Sequence, residues 1–219
     1  MKKRTIILLR YTRQNWRMHN EMSNAKGLKG RETRQRLLRV AEREFALHGY
    51  HEAKISEIVK KADLTQPAFY LYFSSKEAIY EELVRQFRTG IIDLLESSRI
   101  EPGLQQREIA WRVAFVLERI LGFLNDNRGL TQIGFIQHPE AEAIKKTIVD
   151  IVAGNLRSEQ ELGYFRKELD MEVVAHSLVG AIDRLTVTQL LTDRLSPKEV
   201  ARQIVDLFLN GLQIAHAPE

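Results

Sequence analysis

Thr65-Gln66-Pro67-Ala68, followed by Tyr70 and Tyr72, is a run of side chains suited to reading a nucleic acid. A glutamine offers a paired donor and acceptor that match the major-groove edge of adenine, and proline or alanine can touch a thymine methyl. Tyr70, Tyr72, Lys54 and Lys76 supply hydroxyls and cations of the kind that meet phosphate oxygens. Other chemistries lack their residues. With no cysteine, the chain has no disulfide, thiolate nucleophile or zinc–sulfur site. There is no phosphate-binding glycine loop and no His-x-x-x-His pair. The six histidines are scattered, and His138 with Glu140 and Glu142 reads as a helix start rather than a metal corner. These residues point to a binding protein, not an enzyme, with no cofactor and no metal.

The elements that must carry the run are short helices. Ile55, Ile58, Val59 and Ala62 recur at three- and four-residue spacing, which marks one face of a two-turn helix. Asp63-Leu64 then breaks the pattern. Thr65 is a good N-cap and Pro67 sits in the first turn, where a missing N–H costs little. Phe69 and Phe73, four apart, share the next face and leave Gln66, Tyr70 and Tyr72 to point elsewhere. A helix, a tight turn and a second helix with exposed polar groups make a helix-turn-helix, whose second helix enters the major groove. Before it, Leu37, Leu38, Ala41, Phe45 and Ala46 stripe a helix over 32–48 that Gly49 ends. Arg31, Thr33 and Arg34 lie at its start, placed to meet a phosphate.

The order of these features carries a resemblance. A helix over 31–49 closing on Gly49-Tyr50, then Ile55 and Ile58, Ala62-Asp63-Leu64, and Phe69-Tyr70-Leu71-Tyr72-Phe73-Ser74-Ser75-Lys76-Glu77, resembles the DNA-binding domain of the TetR family of bacterial repressors over residues 31–80. Three positions depart from the family pattern. Asp63 stands where the turn has glycine, Pro67 where the recognition helix has a small residue, and Lys54 where a Ser or Thr caps the second helix. The resemblance implies a one-component transcriptional regulator, a repressor whose small-molecule effector binds among long helices and tilts the linking helix. It also supports placing Tyr70, Tyr72, Lys54 and Lys76 on phosphates. The rival reading is a ligand-independent architectural DNA-binding protein.

Charge is divided along the chain. Residues 1–76 hold 17 Lys/Arg against 7 Asp/Glu, and residues 77–219 hold 16 against 22. A basic head on an acidic body suits a double-stranded DNA partner. Residues 1–30 read as a basic, flexible arm that adds phosphate contacts, or as a tail; Met18 or Met22 is an equally placed start. No apolar run approaches the ~18 residues of a spanning helix, so the expected setting is cytoplasmic, without membrane contact.

The expected fold is all-α: a three-helix helix-turn-helix domain over 31–76, then a helical effector-binding and dimerisation domain over 77–219, about nine helices in all. Helices are expected over 77–98, 105–125, 130–137, 140–157, 170–191 and 196–215. The 105–125 segment is apolar almost all round and is expected to be central. Candidate effector-lining residues are Phe87, Ile91, Trp111, Phe115, Phe123, Phe135, Ile144 and Ile148. Their aromatic content favours a bulky apolar or amphipathic ligand. One helix-turn-helix spans few base pairs, so two heads on a homodimer must meet a palindromic operator. The last two helices, read as an antiparallel pair, would carry that seam through Val174, Leu178, Ala181, Leu185, Ile204, Phe208 and Gly211.

Overall fold

The computed structural model describes residues 29–212, so the basic arm over 1–28 lies outside the described residues. Those residues hold nine α-helices and no strand. The chain divides into two units, residues 1–80 and 81–219.

In the first unit, α1 occupies residues 29–52, α2 Ile55–Lys61 and α3 Gln66–Phe69, and α4, Lys76–Glu96, begins there. The apolar stripe of α1 is its buried face: Leu37, Leu38, Ala41 and Phe45 lose nearly all their solvent contact. Helical bonding runs past Gly49 to residue 52, but Gly49 itself turns left-handed (φ 75°), a conformation glycine adopts without a Cβ clash. Phe45, Tyr50 and Tyr80 then pack as one aromatic cluster, Tyr80 standing edge-on to Phe45 at 5.1 Å and 4.8 Å from Tyr50. Between α2 and α3 the chain reverses through Asp63 (φ 52°), while the Leu64 amide reaches back 2.9 Å to the Val59 carbonyl. Aspartate tolerates this left-handed turn at modest cost, so the family's glycine is dispensable here.

In the second unit, later turns of α4 meet α5 (Gln106–Asp126), α6 (Arg128–Thr131), α7 (Ala141–Glu161), α8 (Met171–Leu185) and α9 (Pro197–Asn210). Their ends follow local rules. Gln105 and Glu108 close a capping box on α5, Asp170 accepts the Glu172 amide at 2.8 Å, and Ser196 with Glu199 closes a second box on α9. Two helices leave α-geometry at their C-terminal sides. α6 runs into a π-helical turn over Gln132–Gln137, and α8 into another over Thr186–Leu190. Hydrophobic periodicity gives no sign of either turn.

Two expectations fail here. α8 and α9 do not form the expected pair; α8 packs on α7 and α9 on α5. Nor is α5 central all round. Trp111 is 69% exposed and Phe115 41%, and they stack on each other at 5.7 Å with Arg112 and Arg119 over the Phe115 ring. An apolar side chain on the outer face of a helix is common enough that composition alone did not mark this face.

Gly134, in the first π turn, admits the ring of Phe87. A Cβ built at Gly134 would sit 2.6 Å from Phe87 Cδ1, and one built at Gly90 would sit 2.8 Å from Phe123. Phe87 is fully buried, whereas Phe123 is half-buried and has room to swing. Gly134→Ala is therefore expected to destabilise the protein by roughly 1–3 kcal/mol, and Gly90→Ala by less, in urea melts read by circular dichroism.

Candidate DNA interface and effector cavity

The polar run sits where its local sequence puts it. Thr65 accepts the Ala68 amide at 3.4 Å and opens α3, with proline in the first turn. Thr65, Gln66 and Pro67 are exposed and Ala68 is half-buried. Phe69 and Phe73 pack inward at 5.9 Å, which leaves Tyr70 50% exposed and edge-on to Phe69. Tyr72 is half-buried. Leu71, between the tyrosines, is 80% exposed, an apolar side chain on the presenting face that the sequence reading passed over. Lys54 is exposed at the start of α2 and makes no side-chain cap there, as expected where lysine replaces a capping residue. The Thr33 hydroxyl donates to the Lys29 carbonyl at 2.8 Å, so its proton is held within α1.

Lys76 has a different partner from the expected phosphate. Its ammonium donates to the carbonyls of Tyr50 (2.7 Å), His51 (3.2 Å) and Ala53 (3.1 Å), and lies 4.5 Å from the centre of the Tyr50 ring. The three bonds use all three ammonium protons. The residue ties the start of α4 to the end of α1, with residues 54–75 spanning the gap. A nearby pair has a similar role: Lys61 meets the buried Glu44 carboxylate at 2.6 Å and links α2 to α1.

The second unit holds a partly open cavity of about 100 Å³. Its walls come from α4 (Ile91, Leu95), α5 (Val113, Val116, Leu117, Ile120, Leu124), α7 (Ile148, Val152, Leu156) and α8 (Leu178, Val179, Ile182), with Phe135 from the π turn and Phe165 beyond α7. Three of the expected lining residues are there: Ile91, Phe135 and Ile148. Phe87 and Ile144 are buried away from it, Phe123 lines a separate shallow groove, and Trp111 and Phe115 face outward. A second, open groove of about 900 Å³ runs along α5, α8 and α9. Val174, Leu178, Ile204, Phe208 and Gly211, expected at a dimer seam, line this groove, and Leu178 also lines the cavity; Ala181 and Leu185 are half-buried on α8. Val113, Leu117, Leu156, Phe165 and Leu178 belong to both walls.

One end of the cavity is polar, through Ser98, Asn155 and Glu159. Asn155 donates to the Leu95 carbonyl at 3.1 Å and accepts from Arg99 Nε at 2.9 Å. Glu159 is 6% exposed and accepts the Ile100 amide at 3.1 Å. Burial pushes its carboxyl from the usual 4.5 up to about 7, against the pull of that amide and of Arg112 and Arg99. The helix expected over 140–157 stops short of this group, which lies in the last turn of α7. Ile148, Val152, Asn155 and Glu159 do fall at helical spacing on one face, and that stripe was the available signal. Asp183 pairs with Lys145 at 2.8 Å, and Lys145 lies 5.1 Å from the Phe135 ring. Burial lowers the Lys145 pKa, but its bonds to Asp183 and Glu142 outweigh that and hold it above the usual lysine value. Arg184 and His176 are exposed.

Against this geometry, the family model for bacterial regulatory proteins of the tetR family matches residues 37–83. The HTH-type transcriptional regulator YdgC of Bacillus subtilis is 47% identical over 184 residues, covering 84% of this chain and 94% of YdgC. The chain belongs to the TetR family of transcriptional regulators. That family is one of regulators, not enzymes. The fatty acid metabolism regulator protein of B. subtilis is 24% identical across 77% of this chain and 89% of its own length. The fold is shared with the crystal structure of FadR from B. subtilis in complex with stearoyl-CoA, at a TM-score of 0.63 and 20% identity, over 82% of this chain and 99% of FadR. Among the described residues of this TetR-family chain, no helix is long and apolar enough to cross a membrane.

Lys76→Ala removes three bonds from carbonyls at the end of α1. It is expected to lower the unfolding free energy by roughly 1–3 kcal/mol in urea titration, before any DNA is added. The Glu159 carboxyl titrates higher in the folded state than in the unfolded chain, so the folded protein holds an extra proton between pH 4.5 and about 7. Its contribution is complete below that window and is lost as pH rises through it. Glu159→Gln removes the titration, so the Tm of the variant relative to the parent is expected to rise between pH 5 and pH 8.

Proposed function

We propose that this TetR-family regulator is a homodimeric repressor that binds a palindromic operator and is released by a small apolar effector held in the second unit. The observation that carries the reading is the partly open apolar cavity in that unit, on the same chain as a helix-turn-helix that presents Thr65, Gln66 and Pro67. A ligand-independent architectural binder has no use for such a cavity. In this reading Thr65, Gln66, Pro67 and Ala68 meet base edges, with Gln66 on an adenine, while Tyr70, Tyr72 and Lys54 take phosphates. Thr33 adds a phosphate contact when its hydroxyl turns its proton from the Lys29 carbonyl to the phosphate oxygen.

Two heads on one dimer would address half-sites about 34–36 Å apart, one turn of the double helix. Exposed Val173 on α8, and Leu207 and Leu209 on α9, supply apolar surface for a second copy. The residues first assigned to that seam, Val174, Leu178, Ala181, Leu185, Ile204, Phe208 and Gly211, then stand behind or beside it, with the groove available to a chain longer than the cavity. The similarity to a fatty acid metabolism regulator, and the fold shared with a FadR that holds stearoyl-CoA, favour an effector with an apolar chain.

The experiment is operator selection from random duplexes, followed by binding titrations on the selected site and on unrelated DNA. Gln66→Ala should weaken the selected site about 10-fold or more, by the ~1–3 kcal/mol of one bidentate base contact, and leave unrelated DNA and dimer mass unchanged. Lys54→Ala should weaken both DNAs alike and reduce the salt slope by about one. An unchanged base preference in the Gln66 variant sinks the assignment of α3 as reader.

A further inference from the structure

Among the described residues, Glu159 is the single ionisable side chain that lines the cavity, set at the end where Ser98 and Asn155 also lie. We infer that this end selects an apolar ligand bearing an uncharged hydroxyl, and rejects the same chain ending in a free carboxylate. The inference rests on the effector-cavity reading above and adds the chemistry of the ligand's head.

The hydrogen-bond inventory decides which group the end can take. Asn155 is committed on both sides of its amide, to the Leu95 carbonyl and to Arg99. The Ser98 hydroxyl donates to the Leu94 carbonyl, which leaves its oxygen as an acceptor only. Glu159 Oε1 receives the Ile100 amide, and its second oxygen keeps its hydrogen-bonding capacity. An alcohol can donate to that oxygen when Glu159 is ionised and accept from it when Glu159 is protonated. It can also donate to Ser98.

A carboxylate finds no such match. The charged groups acting on Glu159 are Arg99 and Arg112, and neither lines the cavity. Arg99 is held by Asn155, and Arg112 donates to the Arg99 carbonyl at 3.4 Å. A ligand carboxylate would therefore meet a second carboxyl group with no cation facing the shared space, and one of the two must take up a proton. The apolar walls raise the cost of leaving both charged. At about 100 Å³ the space is smaller than the ~150 Å³ of an engineered apolar cavity that admits benzene, but it is partly open and shares five wall residues with the neighbouring groove, so a small probe can extend past it.

The test uses the full-length protein and its Glu159→Gln variant, which retains an acceptor for the Ile100 amide. Toluene, 1-hexanol and sodium hexanoate are titrated by calorimetry at pH 5.5, 7 and 8.5. The expected result is that 1-hexanol binds the parent at least 10-fold more tightly than hexanoate at pH 8.5. Hexanoate should recover as pH falls through about 7, where Glu159 gains its proton. In Glu159→Gln the gap should shrink about 10-fold and hexanoate should lose its pH dependence around neutrality. Equal binding of 1-hexanol and hexanoate at pH 8.5, or the same gap in both proteins, overturns the head-group inference while toluene binding leaves the cavity reading standing. Failure of toluene and 1-hexanol alike overturns both.

Discussion

The closure of the helix-turn-helix segment between α1 and α4 rests on one ammonium group. Residues 54–75 contain the whole helix-turn-helix, yet α2 has two turns and α3 only one. Helices this short are unstable on their own, because nucleating a helix costs more than so few bonds return. Their geometry must come from outside. Lys76 supplies it by holding three carbonyls at the end of α1 from the first residue of α4, so the intervening segment becomes a closed loop with fixed ends. Closing a loop of this length costs entropy only slowly with added residues, and the aromatic cluster of Phe45, Tyr50 and Tyr80 beside the closure offsets it with buried area. A lysine that looked like a phosphate ligand fastens the segment that exposes Thr65, Gln66 and Pro67.

The second unit meets the opposite constraint. Its long helices are stable enough to pack densely, and a cavity inside them must be preserved against collapse. Two π-helical turns interrupt these helices, and such turns recur at functional sites because an extra residue re-aims the side chains that follow it. The first brings Phe135 onto the cavity wall, with Gly134 next to it making room for Phe87. Without that extra residue, Phe135 would rotate away from Ile91 and Ile148. The ion pair of Lys145 with Asp183 ties α7 to α8 beside the same ring.

How far these features could be read from the sequence depended on their range. Caps lie within three or four residues of the group they serve, so Thr65, Asp170 and Ser196 were legible and are found in place. The buried faces of α1 and α2 were legible for a similar reason, since a helix repeats its inward positions every three or four residues. Lys76 was not, because its partners lie 23 to 26 residues away and nothing local distinguishes a clamped lysine from an exposed one. Trp111 and Phe115 were misplaced because periodicity says that a helix has an apolar side, not which neighbour covers it. The expected pairing of α8 with α9 failed on the same point, as both helices have two apolar faces and the sequence does not say which partner takes which.

Glu159 illustrates the last difficulty. Charged residues are almost never fully buried without a partner, so a glutamate near a polar helix end is ordinarily read as surface. Here the neighbours decide otherwise: Ile148, Val152 and Leu156 carry the wall to within one turn of it, and the Ile100 amide meets its carboxyl from the chain beyond α4. Keeping an ionisable group in that place costs stability whenever it is charged, and an amide bond from one backbone donor does not cancel that cost. A glutamine would fill the same volume and accept the same bond without the penalty. On the proposed reading the carboxyl does what an amide cannot, which is to carry a negative charge toward a ligand. On that reading Glu159, the one acidic side chain lining the cavity among the described residues, selects the head group, and the apolar wall sets the size of what enters.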